Sequence, residues 1–119
     1  MGKFLDLPLE ADFVLGSDDI ILVKNFRYQY KENDIIEVPS GFRSDGASIP
    51  TVVWLPIGNP FEEYLEAAVI HDYLYRKGIG TKSHADKVFL QGMKDLKVNA
   101  VKRRVMYWAV KFFGKGSWK

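Results

Sequence analysis

Apolar and polar positions change their period about halfway along the chain. In the first 40 residues they alternate in twos: Phe26, Tyr28 and Tyr30 are separated by Arg27 and Gln29, as a half-buried strand requires. The stretches DFVLG, DIILVKNFRYQY and DIIEVPSGF are rich in Val, Ile, Phe and Tyr, and GSDD (16–19) and KEND (31–34) supply turn residues between them. The pattern predicts an antiparallel meander of about three short strands over residues 1–40. From residue 60 onward the spacing is helical. GNPFEEYLEAAVIHDYLYRKG has Asn59 as N-cap, Pro60 at the first helical position, Glu62 and Glu63 in the first turn, and Arg76, Lys77 and Gly78 at its end. SHADKVFLQGMKDLKV predicts a second helix, with Ser83 as N-cap and Asp86 three residues on in the style of a capping box. NAVKRRVMYWAVKFFGKG predicts a third, from Asn99 to Gly114. Between the halves, residues 41–59 read as one long structured loop, and the flanked stretch 38–60 holds four of the five prolines. Loops of this length in a compact domain are more often functional than idle. The predicted fold class is α+β: a small antiparallel meander, a long ordered loop, then three helices over 60–113, all in one domain, 1–119.

Composition changes this picture little. The chain has 119 residues, 47% of them hydrophobic and 14% aromatic, enough for a core of its own. A net charge of +2 does not announce a nucleic-acid binder. Its distribution is uneven: residues 1–40 carry eight acids and four bases, and residues 94–119 carry eight bases against the single acid Asp95. A basic C-terminal face suits phosphates or an acidic partner, although such runs are usually a solvated helix face. There is no cysteine, which excludes disulfides, thiol chemistry and thiolate zinc sites. The N-terminus lacks a basic segment followed by an apolar stretch, and no apolar run approaches about 18 residues. Synthesis in a reducing cytoplasm, without a signal peptide, is the expectation.

Candidate chemistry is concentrated in AAVIHDYLYRKG. His71 lies on a stripe of Tyr64, Ala67, Ala68, Leu74 and Tyr75 at helical spacing, with small residues one turn before it that let another element approach. On the second helix, Asp86, Phe89, Leu90 and Met93 form a stripe headed by a carboxylate. The short KGIGTK connection makes the two helices antiparallel neighbours, and Asp86 then comes level with His71. A carboxylate on one imidazole nitrogen fixes the tautomer and raises the basicity of the other. Tyr75, one turn on, can donate to the same carboxylate. His71, Asp86 and Tyr75 are therefore the catalytic candidates: base, orienter and supporting donor. The plainer readings are a satisfied core histidine, a capping acid and a packed ring. Asp72, an acid beside a histidine on an apolar helix, needs a partner, a cation or a solvent-facing position. In the long loop, Asp45 is the candidate second carboxylate for a cation at Asp72. Gly46 and Ser48 are candidate substrate or loop-shaping residues, Ser48 being also a conceivable nucleophile. His84, next to the cap, is expected to be exposed.

These residues resemble a known arrangement. HDYLYR followed by ADKVFLQGM looks like the pair of antiparallel helices in phospholipases A2, over residues 64–93. The resemblance implies that His71 activates a water, Asp72 binds calcium, Asp86 orients the histidine and Tyr75 bonds to that aspartate. The family's glycine-rich calcium loop and its disulfides have no counterpart here. The chain as a whole resembles a family of phage and bacterial proteins known only as a domain of unknown function. That resemblance rests on VPSGFRSDGASIPTVVW, AAVIHDYLYR and ADKVF and covers most of residues 20–113. It implies a phage-type protein, with association to a virion as one expectation.

Two functions follow. The first is a metal-assisted hydrolase, with a divalent cation (calcium first) and a lipid ester as the first substrate to try. The basic third helix, with Trp108, Phe112, Phe113 and Trp118, would suit an anionic membrane surface, unless those rings pack in the core. The second is a non-catalytic tail or baseplate protein that meets other virion proteins, its polar residues forming a buried network. A His71 that faces a cleft favours the first; one fully buried with both nitrogens bonded to protein favours the second. Nucleic acid is the weakest partner, and the oligomeric state is not set by the sequence.

Overall fold

The computed structural model describes residues 2–16, 19–44 and 64–113, with side chains through Lys111. Among the described residues, six short strands precede three helices. They are β1 (Lys3–Phe4), β2 (Ala11–Phe13), β3 (Ile20–Leu22), β4 (Phe26–Lys31), β5 (Asp34–Val38) and β6 (Arg43–Ser44). The helices are α1 (Leu65–Lys77), α2 (Lys82–Asp95) and α3 (Ala100–Phe113). The α+β class and the order of strands before helices are as predicted.

The strands differ in number and grouping. Instead of one meander there are two antiparallel sheets, ordered β1-β4-β5 and β2-β3-β6. The stretch 19–30 is not one strand, because the chain bends after Leu22 and crosses from one sheet to the other. Asn25 holds the bend: its side chain accepts from Ser40 N at 2.8 Å and donates to Glu37 at 3.0 Å. β6 lies inside the stretch read as loop, and β1 is too short to carry a period. Residues 45–59 of that loop, and Asn59 and Pro60 as the predicted start of the first helix, fall outside the described residues.

Within β4 and β5 the alternation holds. Phe26 faces Val38 and Tyr28 faces Ile36, all four buried, and Arg27 faces Glu37 on the outer side. The Phe4 ring lies tilted against that of Tyr28, with ring centroids 4.4 Å apart, and reaches the seam between α1 and α2. That seam is narrow because Gly92 lies opposite Ala67. A Cβ added at Gly92 would come within 3.1 Å of the Ala67 Cβ and 3.5 Å of the Phe4 ring. Ala67 is one of the two small residues the pattern placed one turn before His71.

Helix ends decide what faces what. α1 stops at Gly78, whose φ of 62° is left-handed. Gly78 N donates to Tyr75 O and Ile79 N to Leu74 O, which satisfies two terminal carbonyls. α2 begins two residues earlier than predicted. Thr81, not Ser83, is its N-cap, and its hydroxyl accepts from His84 N at 3.0 Å. The expected Ser83–Asp86 capping box is therefore absent, because Ser83 lies inside the helix and Asp86 beyond its first turn. α3 starts as predicted, with Asn99 Oδ1 accepting from Val101 N and Lys102 N.

Candidate active site

α1 is buried almost all round: Val69 and Ile70 are covered as well as the predicted stripe. Each such aliphatic side chain contributes about 1.5–3 kcal/mol on burial, which offsets the cost of taking His71 and Asp72 out of water with them. His71 is 0% exposed and Asp86 3%. The imidazole lies against the Tyr75 ring (centroids 4.0 Å) and the Phe89 ring (5.0 Å), so its plane is fixed by packing.

The antiparallel hairpin brings Asp86 level with His71, as the spacing predicted. His71 Nε2 lies 2.9 Å from Asp86 Oδ1, and the Tyr75 hydroxyl donates to the same oxygen at 2.5 Å. Lys82 Nζ donates to the other oxygen, Oδ2, at 2.9 Å. Burial pushes the Asp86 carboxyl up, but the bonds from His71, Tyr75 and Lys82 outweigh it and hold the group below the usual carboxylate range. Asp86 is thus an ionised acceptor. Nε2 must carry the proton it shares, and in the neutral ring the lone pair lies on Nδ1. Burial, reinforced by the Asp86 carboxylate, pushes the Tyr75 hydroxyl up, so it remains a protonated donor.

Asp72 is buried and receives Arg76 Nε at 2.9 Å, one turn along α1. Of the three options open to it in the sequence, a protein partner is one it takes. Among the described residues, no three His, Asp or Glu side chains gather as a metal site. Asp45, Gly46 and Ser48 lie outside the described residues. His84 is half-buried rather than exposed, with its ring edge-on to Tyr30 at 5.5 Å, and it is not part of the His71 site. Trp108 is 58% exposed on α3 and so is not core.

Sequence reasoning missed Lys82. Its signal was present as an i, i+4 spacing to Asp86, the same spacing that pairs Asp72 with Arg76. A cavity of about 330 Å³ lined by Lys82, Ser83, Asp86, Tyr107 and Lys111 adjoins the Asp86 side of the network.

These features define an α+β protein whose helical hairpin carries a buried His–Asp pair braced by a tyrosine and a lysine. The comparisons with known proteins place it further. Residues 20–110 match the family model described as "Protein of unknown function (DUF1353)", and the chain belongs to that family. It is 39% identical over 114 residues to "Uncharacterized protein y4jT" of Sinorhizobium fredii (strain NBRC 101917 / NGR234), covering 95% of this chain and 32% of that protein. It is 34% identical over 73 residues to "Uncharacterized protein y4iH" of the same strain, covering 60% of this chain and 30% of that one. The chain therefore spans about a third of the length of the curated relatives it matches. No solved structure matches it. No described helix is long and apolar enough to cross a membrane.

Proposed function

We propose that the protein is a hydrolase in which His71 is the general base, with an ester bond, first that of a lipid, as substrate. The observation that supports this is the bond from His71 Nε2 to Asp86 Oδ1, with Tyr75 on the same oxygen. It is the arrangement that the resemblance of residues 64–93 to phospholipases A2 implies. In the reaction, Nδ1 takes a proton from water as the water oxygen bonds to the ester carbonyl carbon. Asp86 stabilises the imidazolium so formed. The tetrahedral centre then collapses, the carbon–oxygen bond to the alcohol breaks, and the Nδ1 proton passes to the leaving oxygen. Asp72, with Asp45 as a second donor, is where a divalent cation would be held, in exchange for Arg76.

A second reading is favoured by one observation. His71 is completely buried between two rings, and its network joins α1 to α2. In that reading the residues are an internal polar scaffold and the protein is a non-catalytic virion component.

The test compares wild type, His71→Gln and Asp86→Asn on anionic phospholipid vesicles and on a soluble aryl ester, with calcium present. The hydrolase reading expects turnover in the wild type and a loss of roughly 10²–10⁴-fold in folded His71→Gln. No turnover in the wild type, together with a large fall in stability in both variants, would establish the scaffold instead.

A further inference from the structure

Lys82 stands at the first helical position of α2, immediately after the Thr81 cap. For its own helix this is the wrong end for a cation, because the N-terminus carries the positive pole of the dipole. No acid in the first turn of α2 offsets it. The side chain does not extend into solvent either, being 21% exposed. An ammonium has three donors, and three acceptors lie within reach of this one. They are Asp86 Oδ2 at 2.9 Å, Lys111 O at 3.1 Å and Val110 O at 3.3 Å. The two carbonyls belong to the last turn of α3, where backbone oxygens have no partner within the helix and where a cation suits the dipole. The position of Lys82 is thus unfavourable for α2 and accounted for by Asp86 and α3.

We infer that Lys82 is a positioning residue that fixes the second oxygen of Asp86 and makes the aim of that carboxylate at His71 depend on the docking of α3. This rests on the reading of His71 and Asp86 as the reactive pair, and gives that pair a point of control. The physical reason lies in the carboxylate. Its terminal torsion is broad and roughly two-fold, so bonds to one oxygen alone leave it free to swing. His71 and Tyr75 both bond to Oδ1, and Lys82 alone of the described donors bonds to Oδ2. The ammonium also lies 5.6 Å over the Tyr75 ring, so it bears on two members of the network. Tyr107 and Lys111 face it from α3, and Lys111 Nζ is directed over the Tyr107 ring at 5.9 Å.

The experiment uses the full chain as wild type, Lys82→Met and Lys82→Arg. One readout is the downfield proton of His71 Nε2–H with its ring ¹⁵N shifts, which is tractable because the chain has only two histidines. The other is amide exchange in the last turn of α3. Lys82→Met is expected to speed exchange of the Nε2 proton and of the α3 amides by roughly tenfold each, and Lys82→Arg to restore both. An unchanged Nε2–H signal in Lys82→Met, with only a lower melting temperature, would overturn the inference. So would a changed signal with unaltered α3 exchange, since the link to α3 would then be absent. If Lys82→Met does not fold, Lys82→Gln against Lys82→Arg decides by the same two readouts. Ester turnover measured on the same proteins separates the two proposals. An inactive wild type that still shows the linked changes ends the hydrolase reading and leaves the positioning role. An active wild type whose Met variant keeps its kcat and its Nε2–H signal does the reverse.

Discussion

Tyr75→Phe removes one oxygen atom from the network and nothing else. The ring stays, so its contact with His71 at 4.0 Å and its burial are retained. The lost bond is short, 2.5 Å, buried, and made to an ionised carboxylate. Net contributions of hydrogen bonds to charged groups are about 1.5–3 kcal/mol. Asp86 is not orphaned by the change: Oδ1 keeps His71 and Oδ2 keeps Lys82. The cost therefore belongs near the lower end of that range, about 1.5–2 kcal/mol at neutral pH. Urea unfolding of the two proteins at a common m-value measures it. The pH dependence follows from the depressed Asp86 carboxyl. Its stabilisation is fully present above the unfolded carboxylate value, near about 3.9, and is lost as pH falls through the lower folded value. The gap between wild type and Tyr75→Phe should accordingly narrow in acid. A gap below about 0.5 kcal/mol at pH 7, within the range of ordinary surface substitutions, would refute the argument. A gap that stays constant into acid would remove Asp86 as the acceptor that matters.

Two further outcomes are expected. Lys97 follows α2 with a φ of 61°, left-handed for a residue with a Cβ, while Val98 N bonds to Met93 O behind it. Lys97→Gly should raise stability by about 0.5–1 kcal/mol by thermal or urea unfolding, and a loss of stability would show that the lysine stem earns its place by packing. If Asp72 takes a divalent cation, it must do so against Arg76, 2.9 Å away. Calcium calorimetry should then show tighter binding in Arg76→Ala and none in Asp72→Asn, and identical isotherms in all three proteins would take Asp72 out of any cation site.

What the sequence by itself determined is what depends on neighbours along the chain. The helical stripe through Tyr64, Ala67, His71 and Tyr75, the turn at Gly78 and the start of α3 at Asn99 are local matters of period and capping, and all were legible. So was the meeting of His71 with Asp86, because the short KGIGTK stretch between two helices leaves them little choice but to lie antiparallel. The start of α2 is not fixed by the local pattern, because Thr81 and Ser83 are both good caps and the helix takes the first of them. The two sheets could not be read. Their strands are two to six residues long, and strand pairing joins positions such as Lys3 and Gln29 that no local pattern connects. Lys82 shows the same division. Its spacing to Asp86 lay open in the sequence, but its second role depends on two carbonyls nearly thirty residues away. Those come within reach only when α3 has folded back against α2.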